Sequence, residues 1–345
     1  MTYYPVCIPT LNRHKHFKAC VESLRQCTHA EKTELVVGLD YPPSEDYREG
    51  YEKIKDYLPT IDGFAKVTIF ERDHNYGAVG NSRTLAKYCL EHYDAYIYTE
   101  DDNVFSPCFL DYMDKALDKY RDDERILSVS GFCHLINYGN NLESASLEYE
   151  NISWGTGFWR DKINKANAVM YDKTFLHKLI TKEDIIEKYL NIYPFGLRLL
   201  LNMIKYNASW GDVRQTSYNI LTEHYQVQPT ISLVRNIGCD GSGEHCKFES
   251  EMQMQEISTE TTYNLPAKLE LTHTNVPCKG WRYVNMPTDP EAYQAEIKQL
   301  RKRALKVRLL YQHPWLQWLV DRPKRLQWYA HRYWLAVLRR CGKPV

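Results

Sequence analysis

With 345 residues, 43% hydrophobic and 26% charged, the chain has the composition of an ordinary folded protein and is neither collagen-like nor disordered. Its 44 Lys and Arg balance 44 Asp and Glu, so no chain-wide basic field suggests nucleic acid as a partner. The opening MTYYPVCIPTLNR lacks the basic and apolar regions of a signal peptide, and no apolar run reaches the ~18 residues of a spanning helix. Ten cysteines are scattered without a CxxC pair, which predicts buried thiols in a cytoplasmic protein rather than a disulfide framework.

In chain order, YYPVCIP (3–9) reads as a short strand, followed by a helix with Phe17, Cys20, Val21 and Leu24 on one face. TELVVGLD (33–40) is a continuous apolar run of the kind buried in parallel sheets and ends at Asp40. AKVTIFERD (65–73) is a third strand. NYGAVGNSRTLAKYCLEHY gives a glycine-bearing turn and a helix burying Leu85, Ala86, Cys89 and Leu90. AYIYTEDD is a fourth strand ending in three acids, and Ser106 and Pro107 read as N-cap and first position of the next helix. RILSVSGF (125–132) is a fifth strand. Alternating strands and helices predict a parallel α/β sheet with ligands at the strands' carboxyl ends, where Asp40 and the acids lie. Beyond about residue 135 the pattern is less regular.

The triplet Glu100, Asp101 and Asp102 carries the chemistry. Adjacent acids repel one another and favour a cation. In an extended segment Glu100 and Asp102 project to one side, and oxygen ligands suit Mn2+ or Mg2+ bridging to substrate phosphates. A solvated acidic loop is the plainer alternative.

IPTLNR (8–13), Asp40, NYGAVGNSR (75–83) and YTEDD (98–102), in that order, resemble the nucleotide-sugar domain of glycosyltransferase A-fold enzymes, especially the inverting family 2. EDDNVFSPCFLDYM also resembles the N-acetylglucosaminyltransferase I family. The resemblance implies one A-type, Rossmann-like catalytic domain over 1–285, with a mixed, mainly parallel central sheet. Residues 1–135 would form its nucleotide-sugar half and 136–285 its acceptor half. It further implies a metal-dependent inverting hexosyl- or N-acetylhexosaminyl-transferase using a nucleotide-diphosphate sugar, a UDP-sugar first of all.

Residue by residue, the resemblance places Pro9, Thr10 and Arg13 by the nucleotide, and Asp40 under the base. Asn75, Gly77, Gly80, Asn81 and Arg83 would border ribose and phosphates, with Glu100 and Asp101 supporting the ion and ribose. Asp102 would be the principal metal ligand and His245 the second; Cys239, His245 and Cys246 match no zinc spacing well. Trp154 and Trp159 in NISWGTGFWRDK, with Trp210, would line the acceptor, although tryptophan is mostly buried anyway. Asp212 is the candidate base, with Asp161 and Glu223 as alternatives; the tryptophan–aspartate pair of bacterial relatives is interrupted here by Gly211.

Residues 286–345 form a basic, tryptophan-rich helical tail. From residue 291 onward, 13 Lys and Arg face 3 Asp and Glu, with Trp315, Trp318, Trp328 and Trp334 among them. That pattern suits peripheral attachment to an anionic membrane face, and hence a lipid-linked glycan acceptor as in polysaccharide biosynthesis; a packing or dimer helix is the alternative. The functional rivals are a sugar nucleotidyltransferase and a non-catalytic carbohydrate-binding protein of the same fold.

Overall fold

The computed structural model describes residues 1–133, 145–172, 174–242, 255–271, 286–287 and 289–316. The chain begins β1 (Val6–Thr10), α1 (His14–Arg25), β2 (Glu34–Leu39), α2 (Arg48–Tyr57), β3 (Lys66–Glu71), α3 (Gly77–His92) and β4 (Ala95–Tyr98). It continues β5 (Asn103–Phe105), α4 (Phe109–Lys119) and β6 (Ile126–Ser130). Beyond residue 144 come β7 (Ala145–Glu148), β8 (Thr156–Trp159), α5 (Arg160–Met170), α6 (Phe175–Thr181), α7 (Glu183–Ile192), α8 (Pro194–Tyr206) and α9 (Gly211–Thr222). Then come β9 (Tyr225–Pro229), β10 (Val234–Asn236), β11 (Glu270–Leu271) and α10 (Pro290–Gln312).

Nine strands form a mixed, mainly parallel sheet in the order β11-β7-β9-β6-β8-β4-β1-β2-β3, so the expected α/β class holds. Period two sorts the central strands onto two cores. Val6, Ile8, Leu35, Val37, Leu39 and Ile97 face α1, α2 and α4, whereas Cys7, Val36 and Tyr96 belong to a second core with α3 and α5 to α9. Burial on both faces explains the unbroken apolar run of β2. α1 buries Phe17, Cys20, Val21 and Leu24 as its spacing predicts, and α3 buries Leu85 and Cys89. The described cysteines, Cys7 through Cys239, are buried free thiols.

Strand β1 has β2 on one side and β4 on the other, and chain order reverses between them. The crevice at the carboxyl ends of β1 and β4 is therefore the switch point where open α/β sheets bind ligands.

Three expectations change. The fourth strand stops at Tyr98, and Asp101 and Asp102 occupy the turn that follows, where their carboxylates are buried against Arg13 rather than within the sheet. The chain then forms β5, which pairs antiparallel with β10 in a separate ribbon, Asn103 opposite Asn236. Helix α4 starts at Phe109 with Cys108 as N-cap, while the Ser106 hydroxyl donates to the Ser258 carbonyl and caps nothing.

The tail is also not free over its first part. Helix α10 buries Leu300 and Ala304 and packs on α6, α7 and α8. Arg301 pairs with Glu187 at 2.7 Å, Arg198 with Glu296 at 2.8 Å, and His177 stacks on Tyr311. These contacts spend part of the basic charge on the protein itself. Trp315 is 64% exposed just past the helix, and Trp318, Trp328 and Trp334 lie outside the described residues. Among the described residues no helix is long and apolar enough to cross a membrane.

Candidate functional site

At the β1/β4 switch point, Thr10 ends β1 and Arg13 immediately precedes α1, while the acidic turn follows β4. The side chains meet. Thr10 Oγ1 donates to Asp101 Oδ2 at 2.8 Å. Arg13 Nη1 donates to Asp102 Oδ2 at 2.7 Å, and Nη2 bonds Asp101 Oδ1. Both carboxylates are over nine-tenths buried, so the guanidinium serves as their counter-ion. Burial opposes the charge on Arg13, but Asp101 and Asp102 outweigh it and its pKa is raised.

The other oxygen of Asp102 comes from far along the chain. Asn236 Nδ2 donates to Asp102 Oδ1 at 2.7 Å and to Asn103 Oδ1 at 3.1 Å, and the Ile237 N–H donates to the Asp102 carbonyl at 2.8 Å. Gly238 must be glycine here: a Cβ would stand 2.0 Å from Asp102 Oδ2. Sequence analysis missed Asn236 and Gly238, because nothing local signals that residues more than 130 positions away share a ribbon with β5.

Glu100 is the half-buried member of the triplet, and its carboxyl accepts no hydrogen bond among the described residues. Burial, then the charges of Asp102 and Asp101, push it up to about 8; Arg13 opposes this and Asp212 adds to it. Asp212 is thus among the charges that act on the triplet. It stands in the first turn of α9, after the half-buried Trp210. The alternative carboxylates lie elsewhere. Asp161 follows Trp159, which pairs with Ala95 at the amino end of β4, the opposite edge of the sheet. Glu223 ends α9, about 16 Å along the helix from Asp212, and pairs with Lys188 at 2.7 Å.

Trp154 and Trp159 separate as well. Thr156 pairs with Tyr98, so Trp154 lies at the triplet's edge of the sheet, half-buried and edge-on to Phe132 at 4.9 Å. Trp159 is fully buried; its indole N–H donates to the Leu117 carbonyl at 3.0 Å and its ring lies under the Lys162 ammonium. It packs the core and offers no face to a sugar, which corrects the acceptor assignment.

The second strand end is tied to α3. Asp40 Oδ1 accepts the Tyr41 N–H at 2.9 Å and the Tyr76 N–H at 2.8 Å. Asn75 donates to the Tyr41 carbonyl at 2.6 Å. Pro9 sits within β1 opposite Gly38. Gly77 takes φ +68, the left-handed region that favours glycine, whereas Gly80 meets no close neighbour that demands one. Asn81 is buried, donating to the Gly38 carbonyl at 2.7 Å and accepting from Arg72 Nε at 3.1 Å, so it is structural and does not border a ribose. Arg72, at the end of β3 with its guanidinium 5.0 Å from the Tyr76 ring centre, is a basic residue at this edge that sequence analysis passed over. Arg83 is exposed and turned toward Tyr171 at the end of α5.

For a divalent ion, the described residues hold no group of three or more His, Cys, Asp and Glu arranged as a cage. His245 and Cys246 lie outside the described residues. The donor set is the unbonded Glu100 carboxyl plus an Asp102 already shared by Arg13 and Asn236. That chemistry fits an ion held by one or two carboxylates and completed by a ligand's phosphates, the common manner of Mg2+.

Fold and site thus define an α/β protein with a cluster of basic and acidic side chains at the switch point of its sheet. No family model matches the sequence, and no curated protein matches it. Among solved structures, residues 1–349 of S. aureus TarS match at 13% identity and TM-score 0.33, over 49% of this chain and 50% of that one. The same protein in complex with UDP-GlcNAc matches at 14% and 0.35, over 64% of this chain and 71% of that one. The mannosyltransferase PcManGT from Pyrobaculum calidifontis, in complex with GDP-Man and Mn2+, matches at 13% and 0.37, over 64% and 68%. This chain therefore spans half the length of the first of these, and likenesses so distant decide neither substrate nor chemistry.

Proposed function

We propose that the chain is an inverting glycosyltransferase that moves a sugar from a nucleotide-diphosphate donor, a UDP-sugar first of all, to a glycan hydroxyl. The observation that carries this is the convergence at one switch point of Thr10, Arg13 and the acidic triplet, and the charge of Asp212 adds to the rise of the Glu100 pKa. An acceptor hydroxyl lodged between Trp154 and Trp210 attacks the anomeric carbon, its proton passes to the Asp212 carboxylate, and the bond to the diphosphate breaks. Asp212 sits on α9, packed against α5, α7 and α8, so its position is set by the core of the acceptor half. Asp102 and Glu100, with His245, would hold Mn2+ or Mg2+, which when bound neutralises charge on the departing diphosphate. Asp40 and Asn75 border the nucleoside. The tail beyond α10 contributes attachment to an anionic membrane surface, with Trp315 at its start and a lipid-linked acceptor as the consequence.

The test is a thermal-shift panel of nucleotide sugars with and without Mn2+, followed by detection of the released nucleotide. A true donor stabilises the folded state by mass action and yields nucleoside diphosphate with acceptor or water. If only nucleoside triphosphates bind and pyrophosphate is released, the protein is a nucleotidyltransferase and the proposal fails.

A further inference from the structure

Three elements meet around one ring. Tyr171, at the end of α5, is 44% exposed. The Arg83 guanidinium, from α3, lies 5.0 Å from its centre, and the Arg214 guanidinium, from α9, lies 5.4 Å from it. Two cations thus share one aromatic ring. Among the described residues neither has a carboxylate within ion-pair reach. By contrast Arg25, Arg48, Arg125, Arg160 and Arg301 each pair with an acid. Arg214 is held in place by donating to the Met170 carbonyl at 2.7 Å and to Ser209 Oγ at 3.2 Å. Burial lowers its pKa, Tyr171 opposes that, and the charge of Arg83 lowers it further, so the pair is left mutually repelling. The cluster shares its helices with the proposed chemistry: Arg83 is on α3, which opens where the Tyr76 N–H meets Asp40, and Arg214 is on the opening turn of α9 with Asp212.

We infer that Arg83, Tyr171 and Arg214 form a cradle for a phosphate-ester anion, resting on the transferase reading above. Two guanidiniums fixed on one ring present donors to an oxyanion in the forked geometry that suits phosphate, and an arriving anion relieves their repulsion. Cation–π contact orients both side chains beforehand, which lowers the entropy lost on binding. The same chemistry has two sources here, the diphosphate of the donor or a phosphate carried by the acceptor.

The experiment uses the full chain in metal-free buffer, titrated calorimetrically with inorganic pyrophosphate, glycerol phosphate, UDP and uridine. Arg83→Met and Arg214→Met keep apolar contact with the ring and remove the charge. Wild type should bind pyrophosphate or glycerol phosphate saturably and less tightly as salt rises, and each variant should bind about tenfold more weakly or worse. Equal loss for UDP, with uridine unchanged, assigns the cradle to the donor's diphosphate. Unchanged UDP with weakened glycerol phosphate assigns it to the acceptor. Because Arg214 also supports the Met170 carbonyl, the exposed Arg83→Met decides the matter if Arg214→Met unfolds. Wild type that binds none of the phosphates, or an Arg83→Met variant that binds them equally well, overturns the inference. Phosphate binding without any binding of nucleotide sugars would keep the cradle and sink the transferase.

Discussion

Removing the Arg13 guanidinium should expose how much of the site it holds together. Arg13→Met retains much of the stem and deletes two charge-assisted hydrogen bonds, one to Asp101 and one to Asp102. At about 1.5–3 kcal/mol each, those bonds predict a loss of roughly 3–6 kcal/mol. The cost of leaving a buried partner unpaired gives a similar about 3–5 kcal/mol, since both carboxylates keep less than a tenth of their surface exposed. Thr10 and Asn236 still bond the two acids and should keep the loss toward the lower end. Urea unfolding of wild type and variant measures the difference directly. A second signature follows from charge. With the guanidinium gone, Mn2+ should raise the variant's unfolding free energy by more than it raises that of wild type, because the acids then lack a resident cation. A loss below about 1 kcal/mol would refute the buried-counter-ion argument. Equal stabilisation of both proteins by Mn2+ would refute the idea that metal and Arg13 answer the same charge.

Asp212→Asn should lower kcat about 10²-fold while nucleotide affinity stays nearly intact, and Asp161→Asn, at the opposite sheet edge, should leave kcat unchanged; the reverse pattern in steady-state kinetics identifies the wrong base. Asp114 offers a pH test: its buried carboxyl accepts the Tyr4 N–H at 3.1 Å, its second oxygen accepts no hydrogen bond, and burial pushes it up to about 8. Asp118 and Asp111 add to that rise, the Tyr4 N–H and the N-terminal amine oppose it, and His29 faces it at 3.8 Å. The folded state holds a proton that the unfolded chain releases near pH 4, so this group makes stability fall as pH rises toward 8, by about 1.4 kcal/mol per pH unit. Asp114→Asn should remove that slope in urea unfolding at pH 5, 6 and 7, and an unchanged slope counts against it. For the tail, a chain ended after Leu316 should keep wild-type stability and lose sedimentation with anionic liposomes. One ended before Pro290 should unfold about 2 kcal/mol or more sooner, because it uncovers the surface that Leu300 and Ala304 seal. Full-length protein that ignores such liposomes at low salt ends the membrane proposal.

Local pattern was enough for most elements of the first half of the chain, though not for α2 or β5. Strands β1 to β4 and β6, helices α1 and α3, and the placing of Asp40 and the acids at strand ends follow from apolar periodicity, because a parallel sheet buried on both faces writes itself as continuous apolar runs, whereas Thr10 and Arg13 entered through the family resemblance. The same logic extends to α7 and α8, whose Ile185, Ile186, Tyr189, Leu190, Leu197, Leu200 and Leu201 lie at helical spacing, although aromatic and glycine-rich neighbours mask it. What sequence alone could not supply was partnership across distance. The triplet reads as a site awaiting a cation, yet only the folded chain shows Arg13 already supplying one to Asp101 and Asp102. Asn236 reaches Asp102 only because β10 pairs with β5, a non-local contact with no local signature. Trp154 and Trp159 stand five positions apart and look alike as acceptor platforms, but strand β8 carries one to the crevice and the other into the core. Basic residues of α10 look free for a membrane until α6 to α8 present Glu187 and a surface for Leu300 and Ala304. Periodicity reports which faces a segment must bury, and burial by itself does not name the partner; pairing register and packing do.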